Sequence, residues 1–123
     1  MNDGAPAPVA DLLQRWRIIE MDAWDQDAVD LLGPGFIEFA PDGHGQFGVV
    51  AVQGWLDCRT ARYDGRPGVE FSWEGVDEDD PASGRGWAKL VDDTTLEGHL
   101  FRHLGDDTSF RARPFTDADD LEA

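Results

Sequence analysis

The chain has 123 residues, enough for one domain with its own core and too few for two. Hydrophobic residues make up 41%, with five Trp and seven Phe, which excludes a solvated disordered polymer. A formal net charge of −16, from 26 acidic and 10 basic residues, disfavours direct contact with a nucleic-acid backbone.

No window approaches the roughly 20 apolar residues of a membrane span, and the start shows no basic region followed by an apolar run. A cytoplasmic protein without membrane association is expected. Cys58 is the single cysteine, so an intramolecular disulfide and a cysteine-based zinc site within one chain are excluded. Lys89 is the single lysine. Two ordinary sources of such a charge are a GC-rich genome that encodes Arg and a high-salt host; a sharper one is a surface that mimics nucleic acid or occupies a basic partner.

Along the chain, residues 1–10 hold Gly4, Pro6 and Pro8 and read as a disordered tail, and residues 116–123, TDADDLEA, as a second, acidic one. Residues 11–115 form the predicted single domain. Leu12 to Ile19 fits a helical turn leading into a strand that carries Trp16. Asp25 to Leu32 is a short helix, with Asp25 and Asp27 at its positive end and Gly33-Pro34 stopping it. Beyond Gly35, strand-like runs alternate with glycine-rich or Asp-Gly turns: FIEFA, QFGVVAV, QGWLDCRTARY, VEFSWEG, GRGWAKLV, TTLEGHLFRHL and TSFRARPF. Short connections favour neighbouring antiparallel strands. The predicted fold is therefore mainly all-β, an antiparallel meander of about seven to eight strands closed into a small barrel, with a short N-terminal helix. Gly48, Gly54, Gly86 and Gly98 inside strand patterns mark the bends that closure needs.

The segment VEFSWEGVDEDDPASGRGWA, residues 69–88, is the most specific. Val69, Phe71 and Trp73 share one face of a strand and Glu70, Ser72 and Glu74 the other. With the apolar set inside, the carboxylates meet solvent or a partner. With the carboxylates inside, they become acid/base groups, and a homodimer must cover the apolar face. Val76 to Ser83 is expected to form a loop that places Asp77, Glu78, Asp79 and Asp80 in a row, and Arg85, bracketed by Gly84 and Gly86, is expected to clamp one of these carboxylates or to bind an anionic ligand group. The stretch does not fit a calcium loop, because the sixth and twelfth positions from Asp77 hold Ala82 and Ala88. His99 and His103 stand about 13 Å apart on a strand, too far to share a metal ion. Glu97, His99, Phe101 and His103 pattern opposite Leu96, Leu100 and Leu104, which predicts an outward polar face with cross-strand pairs to Arg111 and Arg113. His44 falls in a turn. No nucleotide-binding glycine loop and no nucleophile motif occurs, so no cofactor is assigned.

The same segment, with GWLDCR before it and GDDTSFRARP after it, resembles a group of uncharacterised small bacterial proteins over residues 33–114. That resemblance implies no activity. The layout of a Trp-bearing first strand, a short helix and a meander resembles lipocalin-like (calycin) barrels, although Gln14-Arg15-Trp16 stands where such barrels commonly place Gly-x-Trp. It implies a small-molecule ligand. The leading expectation is thus a barrel that binds a small apolar or amphipathic molecule in an aromatic-lined interior, with Trp55, Trp73, Trp87, Phe71 and Arg85 as ligand-binding residues. Two alternatives remain: a cofactor-free cyclase, isomerase or hydratase using Glu70, Glu74 or His99, and an acidic protein that neutralises a basic partner.

Overall fold

The computed structural model describes residues 10–121. Eight strands follow one another around a closed antiparallel barrel, each hydrogen-bonded to its neighbours in sequence and the last to the first. They are β1 (Arg15–Met21), β2 (Phe36–Phe39), β3 (His44–Val49), β4 (Val52–Tyr63), β5 (Arg66–Asp77), β6 (Asp80–Asp92), β7 (Thr95–Arg102) and β8 (Asp107–Pro114). A 3-10 turn (Ala10–Leu12) precedes β1, the one-turn helix α1 (Gln26–Val29) lies between β1 and β2, and α2 (Asp117–Leu121) follows β8. The predicted meander is the observed one, because short turns leave adjacent strands no other partners. No helix among the described residues is long and apolar enough to cross a membrane.

Alternation decides which side chains enter. Ile37 and Phe39 of β2, Phe47 and Val49 of β3, Leu56 of β4 and Val69, Phe71 and Trp73 of β5 are all buried, while the residues that alternate with them face out. Ala88, Leu90, Leu96, Leu100, Phe110 and Ala112 continue the core around the barrel. At three places an inward aromatic ring lies against a glycine of the next strand: Phe47 on Gly54, Phe71 on Gly86 and Phe110 on Gly98, where a Cβ would overlap the ring. Glycine there gives a large ring the volume of two side chains, so these positions are packing sites as well as bends. Register shifts in β1 between Ile18 and Glu20 and in β6 between Leu90 and Asp92 supply further curvature.

Two sequence expectations change. The acidic stretch is hardly a loop: β5 runs to Asp77 and β6 starts at Asp80, leaving a turn of Glu78 and Asp79 with Glu78 at φ 56°. Residues 116–123 are not a free tail over their described part. α2 begins at Asp117, and Asp119 is 1% exposed. The Thr116 N–H donates to Asp119 Oδ2 at 2.7 Å, which is the half of a capping box in which the third helical residue reaches back to the cap. Of the expected N-terminal tail, residues 1–9 lie outside the described residues, and Ala10 already belongs to the 3-10 turn.

Candidate functional site

The orientation of β5 settles the question its alternation posed. Val69, Phe71 and Trp73 point inward, while Glu70, Ser72 and Glu74 are exposed on the outer surface. Neither carboxylate reaches the lumen, so lumenal acid/base chemistry by Glu70 or Glu74 has no geometric basis. Of the residues expected to line the interior, Phe71 and Trp73 do. Trp55, Trp87 and Arg85 do not, because they have the opposite parity on β4 and β6: Trp55 is 57% exposed, Arg85 lies outside between Ser72 and Phe101, and Trp87 packs outside on Tyr63 at 5.1 Å.

The interior divides along the barrel axis. At the end where β1 begins, Leu12 and Trp16 are buried to 1% and 0% exposure, and the Trp16 indole N–H donates to the Leu12 carbonyl at 3.2 Å. At the opposite end lies a cavity of about 420 Å³. Its walls include the inner side chains Phe47, Val49, Trp73 and Leu100, and Trp24 and Phe101 stand at its rim. Trp73 is fixed there by an edge contact with Phe47 at 5.1 Å and by its indole N–H, which donates to the Phe101 carbonyl at 3.2 Å. Beside these apolar side chains the lining carries Asp77, Arg102, His103, Asp106 and Thr108, so the mouth is mixed in polarity.

Polar chemistry enters this mouth from the strand ends. Arg102 donates to Asp77 at 2.6 Å, joining the end of β7 to the end of β5. This is the guanidinium clamp on the acidic stretch, made by Arg102 and not by Arg85. β7 parity turns Arg102 inward opposite Gly84, whereas β6 parity turns Arg85 out. Thr108, also in the wall, accepts from the Ala23 N–H at 3.1 Å and donates to the Ser109 carbonyl at 2.9 Å, tying the β1–β2 connection to β8. Three turns at this end carry non-glycine residues in the left-handed region: Val50 at φ 56°, Glu78 at φ 56° and Leu104 at φ 58°. The strand pattern had set Leu104 among the inward residues, yet it sits on the β7–β8 turn and is 95% exposed. A β-branched or bulky residue pays roughly 1–2 kcal/mol for that backbone, and such strain concentrates at functional rims.

Other concave regions lie on the outer surface. A groove of about 330 Å³ runs past Trp87, Glu97 and His99. There the predicted cross-strand pair Glu97–Arg111 forms at 2.6 Å, and His99 Nε2 meets Asp107 Oδ2 at 2.5 Å, with its ring 4.5 Å from Phe101. His99 is thus a paired surface histidine. A second groove of about 360 Å³ lies beside Trp55, Phe36 and Phe115, and a shallower saddle joins Trp55, Glu74 and Val76. His44 is exposed next to Asp42. Among the described residues no three His, Cys, Asp or Glu side chains group as metal ligands. Burial, with the neighbouring Asp57 charge adding to it, pushes the Cys58 thiol up to about 11, which makes it a poor nucleophile.

One charged cluster escaped sequence reasoning. Arg17 is 5% exposed on the outer side of β1, where α1 and α2 cover it; Nη1 and Nη2 donate to the two Asp30 oxygens at 2.7 Å each, and Asp119 lies 3.8 Å from its Nε. Arg113 donates twice to Asp119, at 2.9 and 2.7 Å. These bonds from Arg113 hold the Asp119 carboxyl well below the usual range, with the Thr116 N–H adding to them. For Asp30, burial raises the pKa, but the Arg17 bonds and the Gly35 N–H outweigh it and the net direction is down. The legible signal was Thr116-x-x-Asp119, a capping-box pattern. Partners 6 and 102 residues away were not legible.

The chain matches no protein-family model, and comparison with curated proteins and with solved structures gives no match.

Proposed function

We propose that the protein binds a small apolar or amphipathic molecule in the mouth of the barrel. The observation that carries this reading is the cavity of about 420 Å³ whose walls include the core side chains Phe47, Val49, Trp73 and Leu100. A lumenal site deeper in the barrel is disfavoured, because the three glycine-seated rings and Trp16 occupy that volume. Closed eight-stranded barrels have room for one small ligand or for side chains, and here the axis divides between the two. The order of helical turn, Trp-bearing strand and meander is that of lipocalin-like barrels, which supports an end-on entry by analogy of fold alone. Phe71 and Trp73 remain in the proposal, Trp73 as wall and Phe71 as the packing beneath it.

The test is a fluorescence titration with the neutral apolar fluorophore N-phenyl-1-naphthylamine. Binding is expected, with emission enhanced and blue-shifted. Val49→Phe, which puts a ring into the cavity, is expected to weaken binding roughly tenfold, the effect of losing the contact area of a ring-sized group. Trp55→Ser on the outer surface should leave it unchanged. Equal binding by the Val49→Phe protein would overturn the reading.

A further inference from the structure

The charge around the mouth selects among amphipathic ligands. We infer that the molecule bound there is an organic cation with an apolar body, an alkyl or aryl ammonium; this rests on the mouth being the binding site. The connections at that end are acidic. The β5–β6 turn brings Glu78 and Asp79, and the β7–β8 turn Asp106. Asp77 and Asp106 also line the cavity itself.

Against them the lining supplies Arg102, whose charge is already taken up by Asp77 at 2.6 Å, and His103. An anionic head group would have to displace Asp77 from Arg102 while facing the remaining carboxylates and a molecule of net charge −16. A cationic head leaves the Asp77–Arg102 pair intact and is attracted by Asp106, Glu78 and Asp79, because a concave low-dielectric site bordered by one sign of charge focuses the opposite sign. The walls suit it as well. Trp24, Trp73 and Phe47 are among the cavity's lining residues, and aromatic ring faces attract an ammonium group in addition to burying its alkyl part.

The experiment uses three displacers that share a ten-carbon chain and differ in head group: decyltrimethylammonium, decanol and decanoate. Each competes with bound N-phenyl-1-naphthylamine at low and at high salt. Decyltrimethylammonium is expected to displace the probe at a concentration roughly tenfold below that of decanoate, with decanol between, and added salt should narrow the gap. Asp77→Asn frees Arg102 and is expected to move the preference several-fold toward decanoate. Asp106→Asn, on an exposed turn, is expected to weaken the cation about twofold without affecting decanol. If the probe binds and decanoate displaces it as well as the cation does, the cation assignment is overturned while the mouth remains a binding site. If the probe does not bind at all, both fall. A preference for the cation that neither salt nor the two substitutions alters would also overturn the electrostatic assignment.

Discussion

At the end where β1 begins, Leu12 and Trp16 close the barrel with almost no exposed surface, and at the other end the same strands leave Val49, Trp73 and Leu100 around an open cavity. Strand number and pairing are the same at both ends, so the difference comes from what the connections carry. At the closed end a 3-10 turn lays Leu12 beneath Trp16, with the Trp16 indole bonded back to the Leu12 carbonyl. At the mouth the long β1–β2 connection is drawn aside. α1 docks on the outer side of β1 through Asp30 and Arg17, and its Val29 carbonyl accepts from the Val50 N–H at 2.9 Å. A segment that could have covered the opening is thus tied to the wall. In this chain, a packed end and a binding end are alternative uses of one barrel, chosen by where a few connecting residues find partners.

This contrast can be broken at several points. The largest effect is expected from Trp16→Ala, which should cost about 4 kcal/mol of stability, as large-to-small changes in a filled core do. Urea unfolding measures it, and a cost no greater than that of a mouth substitution would mean that the two ends are packed alike. Next comes Asp119→Ala, which leaves Arg17 and Arg113 without the carboxylate between them and should cost about 3 kcal/mol.

The same group predicts a pH dependence. Because the folded-state pKa of Asp119 is depressed, its contribution is present above the unfolded value near 3.8 and is lost as pH falls below it. Acid unfolding should therefore steepen below about pH 4, and the Asp119→Asn protein should show a flatter profile. An unchanged acid profile would show that the charge of Asp119 does not stabilise the fold.

Smaller effects belong to the mouth. Val49→Ala should cost only about 1 kcal/mol, because the residue lines a cavity and has fewer atoms to lose contact with, while lowering affinity for N-phenyl-1-naphthylamine. The smallest is Leu104→Asn, which relieves a bulky side chain at φ 58° and should raise stability by about 0.5 kcal/mol. A loss of stability there would show that the exposed leucine packs on something in the folded protein.

Much of this architecture was legible beforehand, and the misses share a cause. Alternation in VEFSWEG named the two faces of β5 correctly because a period of two is a local property of extended backbone. The glycines at 54, 86 and 98 were readable as special positions, but their ring partners Phe47, Phe71 and Phe110 come from the neighbouring strand. Trp55 and Trp87 were expected inside on the strength of their size. They stand outside because parity, fixed by Leu56 and Ala88 beside them, outweighs side-chain type. Arg85 was the expected clamp, but the registers of β6 and β7 turn it out and turn Arg102 in.

The sequence by itself determined the strands, their meander order and the pairs of faces on each, since these follow from backbone periodicity and short turns. Only the tertiary structure decided which face was interior, that α2 is a docked helix, and that one end of the barrel stays open. Those outcomes depend on meetings between residues distant in the chain: Asp119 with Arg17 and Arg113, Asp30 with Arg17, and Asp77 with Arg102. A carboxylate in a linear sequence carries no mark of the guanidinium it will meet, and closure of the barrel is what brings them within reach.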